Sequence, residues 1–411
     1  HFVNSFGFFV ALAFVGAAIV LTAELRRKSK LGLLQYEESR IMVGKPASLS
    51  ELLLNFVLGF VLGYKIIGAF ISDSPLAENP PDFILSLEGS WTMGIIIGLF
   101  FAGMKWWEKN KERLPKPEER TIRIWPQDRV GDIVIFAAVF GFLGAKIFHN
   151  LENWNELVRD PVGSLLSFSG LTFYGGLMLA ALAIWWYASR HKISFWHLND
   201  SAAPALMLAY AIGRIGCQVS GDGDWGIINS AYATDQNGKI FSADPSKFAA
   251  TLEANKDFYL RQFGSLDQVH HLSFKAPSFL PDWFAAYSFP HNVINEGLRF
   301  PGCVGDYCAY LPMPVFPTSF YETITCLLLF FFLWAIRKKL KVPGALFAVY
   351  LIVNGIERFL VEKIRVNTTY SIFGFHPTQA ELISSALVLT GVALLIFLKK
   401  KSLPIRDERF G

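Results

Sequence analysis

FGFFVALAFVGAAIVLTA, residues 6–23, runs directly into ELRRKSK, residues 24–30. The first stretch is apolar throughout, and the charge follows it. A secretory signal peptide carries its positive charge ahead of the apolar region. This run therefore reads as a retained membrane helix with its N-terminus outside, stopped by a basic cluster left inside. The chain opens on His1 and not on methionine, so a natural start upstream of it is expected.

The remainder of the 411 residues repeats the pattern. Hydrophobic residues make up 52% and charged residues 18%, with mean hydropathy +0.35. Soluble domains carry about 25% charged residues and lack such apolar runs. Spans near the roughly 20 residues that a bilayer core requires fall at 5–24, 51–72, 90–107, 130–150, 170–188, 199–219, 317–336, 343–362 and 378–398. Lys and Arg gather after the first, third, fifth, seventh and ninth of these, whereas 73–89 has neither. With the N-terminus outside and the C-terminus inside, every basic cluster lies on one side. The expectation is an all-α polytopic membrane protein with about nine transmembrane helices. The basic residues sit at the ends of apolar runs and are not interleaved with exposed aromatics, so no nucleic-acid partner is expected.

One long polar insertion, 222–315, lies outside on this topology. Its Trp, Tyr, Pro and Gly content suggests a small folded head and not a linker. The expected division is 1–221 with helices one to six, 222–315 as head, and 316–411 with helices seven to nine and an inner tail. Cys303 and Cys308 in that head suit a disulfide if it faces an oxidising compartment, and two free thiols otherwise. No second pair or His cluster completes a zinc site, so neither metal nor cofactor is expected.

The chemistry-bearing residues gather at outer helix ends. Arg214 lies inside the sixth span, within Gly213-Arg214-Ile-Gly216, ahead of Gly-Asp-Gly-Asp-Trp225-Gly226. Arginine near a membrane centre costs at least roughly 2.5–3.5 kcal/mol, so it needs a partner or a ligand. The eighth span ends Glu357-Arg358-Phe-Leu-Val-Glu362-Lys-Ile-Arg365. Arg358 and Arg365 are about two turns apart and share a face, and Glu362 follows Arg358 by one turn on it. Further candidates are Lys146 and His149, Tyr174 with Gly175 and Gly176, and Tyr321-Glu322. Each has a plainer reading. Lys146 and Arg365 would snorkel to the headgroups. Tyr321 would join the interfacial aromatic belt, and Gly175 and Gly176 would permit helix packing. Asp200 would be an N-cap, and Glu357 and Lys363 interfacial charges. Arg214 and Arg358 lie too deep for such readings.

Taken together these segments resemble the prolipoprotein diacylglyceryl transferase family. Gly213-Arg214-Ile-Gly216 with the Gly/acidic/Trp-Gly run resembles its signature. Phe6-Gly7-Phe-Phe resembles its first helix, and Ser169–Leu177 its Gly-rich helix start. Pro317-Thr-Ser-Phe-Tyr321-Glu322 resembles its His-Pro-Ser-Gln-Leu-Tyr-Glu element, and Arg358-Phe-Leu-Val-Glu362-Lys-Ile-Arg365 its Arg-x-x-Val-Glu-x-x-Arg element. The resemblance implies a bacterial inner-membrane enzyme with a periplasmic head. It implies transfer of the sn-1,2-diacylglyceryl group from phosphatidylglycerol to the lipobox cysteine of a prolipoprotein signal peptide, releasing glycerol 1-phosphate. It implies a seven-helix core, to which 51–107 adds a hairpin. Arg214 and Arg358 match essential arginines. Gly216, Gly226, Tyr321, Glu322 and Arg365 match lipid-binding positions.

The departures are specific. Known members carry histidine where this chain has Tyr174, asparagine at Cys217, histidine at Phe316 and glutamine at Ser319. The base that removes the thiol proton is then Tyr174, another outer group (His149, Glu362 or His376), or no dedicated residue. On this reading Arg214 and Arg358 clamp the phosphate through planar forks, and Glu362 fixes Arg358. A carrier or lipid flippase would also use buried arginine beside glycine. It would bring an internal repeat and midplane polar groups, which are not seen here. A non-catalytic assembly factor would leave the arginines without a purpose.

Overall fold

The structure is a computed structural model that describes residues 6–71, 88–166, 172–366, 370 and 375–402. Residues 73–87 of the connection expected at 73–89, the start of the fifth segment at Ser169 and the tail beyond 402 lie outside the described residues. The long elements follow the apolar runs. They are α1 (Phe6–Lys30), β1 (Glu37–Val43), α2 (Leu49–Val61), α3 (Trp91–Lys111), β2 (Glu118–Ile124), α4 (Val130–Glu152), α5 (Phe173–Arg190), α6 (Phe195–Ser220), α7 (Thr318–Ile336), α8 (Ala345–Glu362) and α9 (Gln379–Ser402). A π-helical stretch, Leu62–Ile67, extends α2.

Among the described residues, six helices are long and apolar enough to cross a membrane: Phe6–Lys30, Leu49–Ile67, Pro126–Glu152, Phe195–Ser220, Thr318–Ile336 and Gln379–Lys400. The chain is a polytopic membrane protein. The other three expected spans coincide with α3, α5 and α8, and α8 holds Glu357, Arg358 and Glu362 within its 18 residues.

The chain divides into two compact units, His1–Leu34 with Ile193–Gly411, and Gln35–Lys192. In the first, α1 packs on α6, α6 on α7, and α8 on α9, with α6 and α7 also touching α8. A Cβ on Gly355 would meet Ser384 O at 2.7 Å, and one on Gly391 would meet Ala348 O at 2.7 Å, so these glycines set the α8–α9 spacing. The opposite end of α6 from Arg214 carries a buried polar knot. Lys28 Nζ donates to His197 O at 2.9 Å and pairs with Asp200 at 3.6 Å. Asp200 accepts from the backbone N–H of Gly344 (2.9 Å) and Phe347 (3.0 Å), so it caps α8 from a different helix. Glu24, 1% exposed, pairs with Arg27 and with Arg337 Nε at 3.2 Å. Buried charges need such partners, and these tie α1, α6, α7 and α8 together.

Residues between α6 and α7 fold through their own core of Trp225, Ile228, Tyr259, Val269, Phe289, Leu311, Met313 and Val315. Asn229 is fully buried, donates to Phe274 O and Ala285 O, and accepts from Phe274 N and Ala231 N. One amide thereby joins three stretches of loop. Cys303 and Cys308 are joined by a disulfide.

In the second unit α4 packs on α5, α2 packs on α3, and β1 pairs antiparallel with β2. The ladder runs from Glu37 opposite Ile124 to Val43 opposite Glu118. These strands fall in segments read from the sequence as polar connections, so the all-α expectation holds for the long elements alone. Arg129 joins Glu37 at 2.6 Å and donates to Tyr187 OH at 3.3 Å, and Tyr187 OH donates to Asp132.

Candidate functional site

Arg214 lies two turns before the C-terminus of α6. That helix stops at Gly221, whose φ of +63° is a left-handed cap that glycine adopts without strain. The reversal brings Asp224 back over the helix end. Its backbone is pinned there, because Asp224 O accepts from the hydroxyls of Thr318 (3.1 Å) and Ser319 (2.8 Å) at the start of α7. Gly226 N donates to Phe316 O at 2.9 Å, and Ile227 N to Ile364 O at 2.9 Å, just beyond α8. Three chain segments thus converge on one spot.

Their side chains form an alternating cluster of three guanidiniums and three carboxylates. Glu322, fully buried on α7, is its hub. Arg214 Nε lies 2.7 Å from Glu322 Oε2, though its N–H is not directed at that oxygen. Arg358 Nη1 donates to Oε1 at 3.1 Å, Tyr210 OH donates to it at 3.3 Å, and Arg365 Nη1 sits 3.6 Å away. Arg358 Nη2 pairs with buried Glu362 at 3.0 Å, one helical turn along α8. Asp224 accepts from Arg214 Nη1 and, at 2.5 Å, from Arg365 Nη2. Burial pushes the Asp224 carboxyl upward, but Arg214 and Arg365 more than offset this and hold it below the usual carboxylate range. Arg214 also stacks over the Tyr210 ring, 5.3 Å from its centroid, and donates to Cys217 Sγ at 3.7 Å.

The helical spacing of Arg358, Glu362 and Arg365 therefore brings them to one place with Arg214 and Glu322. Arg365 is not a snorkelling residue, since its side chain is 7% exposed. Glu357 is not an interfacial charge either. It is buried on α8, and neither carboxylate oxygen accepts a hydrogen bond among the described residues. Tyr321 donates to Phe284 O at 2.6 Å, which fastens the start of α7 to the segment between α6 and α7. The glycines serve packing. A Cβ on Gly216 would meet Phe9 Cβ of α1 at 3.0 Å, and one on Gly226 would meet Ile364 O at 2.7 Å. His376 is exposed.

His149, on α4, and Tyr174, on α5, belong to the second unit. The His149 ring nitrogen Nδ1 lies 3.2 Å from the Asn153 side-chain amide, and both His149 and Tyr174 are half-buried. Lys146, on the same helix as His149, is buried and does not snorkel. Gly175 and Gly176 are buried where α5 meets α4, and a Cβ on Gly176 would meet Gly141 O at 2.7 Å.

Asp224 is the member of the cluster that sequence reasoning missed. Gly-Asp-Gly-Asp entered the reading as part of the signature run, with no role for either aspartate. The available signal was an acidic group ten residues after a membrane arginine and just past a glycine turn.

Chemically, such an array offers guanidinium forks that a phosphate could engage in exchange for a carboxylate. Guanidinium forks match phosphate oxygens, and a buried setting strengthens each bond. A family model described as prolipoprotein diacylglyceryl transferase matches residues 88–397. Three similar proteins carry the name phosphatidylglycerol–prolipoprotein diacylglyceryl transferase. That of Psychrobacter arcticus is 26% identical over 326 residues, covering 77% of this chain and 92% of the relative. That of Shouchella clausii is 24% identical over 306 residues, covering 74% and 82%. That of Pseudomonas aeruginosa is 25% identical over 285 residues, covering 66% and 78%.

Proposed function

Because this chain belongs to the prolipoprotein diacylglyceryl transferase family, we propose that it uses phosphatidylglycerol to lipidate prolipoproteins. It is a membrane-embedded transferase of lipoprotein biosynthesis. The sn-1,2-diacylglyceryl group passes to the lipobox cysteine of the signal peptide. The observation that carries this reading is the family match, which spans 88–397 and includes the three arginines.

Sulfur attacks the glycerol carbon, the carbon–oxygen bond to phosphate breaks, and glycerol 1-phosphate leaves with the electron pair. A free thiol titrates near 8.5, so its proton must go to a base or to water. Tyr174 or His149 is our candidate for that base. The growing phosphate charge is met by Arg214 and Arg358, with Arg365 alongside. Glu362 and Glu322 hold Arg358 in orientation. Tyr321, Gly216 and Gly226 shape the lipid site by fixing the helix ends around it.

The protein lies in the bacterial inner membrane with about nine crossings, each of about 20 residues. Its N-terminus and the 222–315 head are periplasmic, and its C-terminus is cytoplasmic. The disposition of Lys and Arg supports that orientation. A disulfide between Cys303 and Cys308 suits an oxidising compartment.

The test is purified protein with phosphatidylglycerol and a lipobox-cysteine peptide, following glycerol phosphate release. Release should require the cysteine, and Arg214→Ala should lower it on the order of 10²–10³-fold, as loss of a main charge-stabilising donor does. Full activity in Arg214→Ala would remove the phosphate site from this cluster.

A further inference from the structure

The three arginines are not equally available to a phosphate. Arg358 is held by Glu322 and Glu362, whose side chains are both fully buried. Displacing either carboxylate would strand a charge without water or partner, which is costly. Asp224 differs. Its side chain is 38% exposed, yet it fills the gap between Arg214 and Arg365 and takes a hydrogen bond from each. Arg365 is 7% exposed, and among the described residues its Nε has no acceptor and its Nη1 has only the long contact to Glu322. A nine-tenths buried guanidinium with open donors at a solvent-reachable carboxylate marks a seat for a larger anion than the one now in it.

We propose that Asp224 is a resident counter-anion of the Arg214–Arg365 pair, and that the phosphate of the lipid substrate seats itself by displacing the Asp224 side chain. This rests on the reading of the cluster as a phosphate site. Only the side chain needs to move. The Asp224 carbonyl stays fixed by Thr318 and Ser319, so rotation about Cα–Cβ swings the carboxylate toward water while the loop stays in place. The phosphodiester of the lipid offers two non-bridging oxygens, as a carboxylate does, and the leaving monoester offers a third, so the open donors of Arg365 gain an acceptor as the carbon–oxygen bond breaks. When product leaves, Asp224 returns, and the arginines are never left bare in a membrane setting. Arg214 and Arg365 then seat the phosphate, while Arg358, held by Glu322 and Glu362, faces the charge that grows on it.

The experiment is calorimetric titration of sn-glycerol 1-phosphate, and separately of inorganic phosphate, into the full chain in phosphatidylcholine nanodiscs. Wild type is compared with Asp224→Asn, Asp224→Ser and Asp224→Glu. Removing the competing charge should tighten binding of both anions by roughly tenfold, the worth of one charge-assisted hydrogen bond. Asp224→Glu keeps the competitor and should bind like wild type. The same split should appear in turnover, as a lower KM for phosphatidylglycerol without a higher kcat in the neutral variants. If Asp224→Asn fails to fold, Asp224→Ser carries the comparison. Binding to wild type with equal or weaker binding to the neutral variants overturns the displacement and leaves the phosphate site standing. No binding of either anion to wild type overturns the phosphate site and the displacement together.

Discussion

Glu322 illustrates how one residue decides what three others can do. It lies fully buried among Arg214, Arg358 and Arg365. Without its charge, three guanidiniums face two carboxylates in a largely buried site. Removing one partner of a buried ion pair costs roughly 3–5 kcal/mol, because the remaining charge is left unpaired. Glu322→Ala should therefore lower the thermal unfolding midpoint clearly, and an unchanged midpoint would mean that the arginines find other partners. Replacing Arg214 by lysine tests a different property. Lysine keeps the charge but not the planar fork, so it can meet Glu322 or Asp224 but not bridge them. Activity in Arg214→Lys should stay well below wild type while the fold persists, and full activity there would argue against bidentate phosphate recognition.

At the scale of elements, polar groups do the joining that apolar faces do in soluble proteins. Lipid tails are as apolar as leucine, so helices in a membrane gain little from hiding leucine from lipid. The knot at the far end of α6 shows the alternative. Asp200 caps α8 and faces Lys28 of α1, so one carboxylate serves three helices. Asp200→Ala removes a cap worth about 0.5–2 kcal/mol and also takes from the Lys28 ammonium its paired carboxylate, leaving the hydrogen bond to the His197 carbonyl. In a double-mutant cycle with Lys28→Met, measured by unfolding in detergent, the coupling should exceed about 0.5 kcal/mol. Additive effects would reduce Asp200 to a cap alone. The element scale is also where legibility in the sequence divides. The face shared by Arg358, Glu362 and Arg365 is set by 3.6 residues per turn, so it could be read directly. The burial of Glu322 under Arg214 depends on how α6 meets α7, and local periodicity says nothing about that. The β1–β2 ladder was hidden for a related reason. Arg120-Thr-Ile-Arg-Ile124 has the period-two alternation of a strand, but its partner lies beyond a whole helical hairpin, and its charges resemble those of any inner connection.

For the whole molecule, the question is which parts the reaction requires. The family match begins at residue 88, so α1 and α2 fall outside it and α3 falls inside. The packing orders these helices differently. Phe6 and Phe9 of α1 lie where a Cβ on Gly216 would touch them, and Gly16 of α1 sits against Ile212, so α1 lines the helix that carries Arg214. By contrast α3 packs on α2, with Gly94 against Phe60 and Gly98 against Phe56, and many large apolar side chains of both helices point outward. The ladder explains how such a hairpin can be carried without disturbing its surroundings. Val43 is paired with Glu118, so the chain leaves and returns at adjacent strand ends. Replacing residues 45–116 by a two-residue Asn-Gly turn would close the ladder as an ordinary hairpin. On the proposed nine-crossing topology it would also remove two crossings and so preserve the orientation of every later helix. The shortened protein should insert, and it should transfer diacylglyceryl groups with a loss of less than about tenfold, equivalent to ~1.4 kcal/mol on the barrier. A shortened protein that inserts and folds but has no activity would show that α3, and not α1, supplies the first helix of the catalytic core.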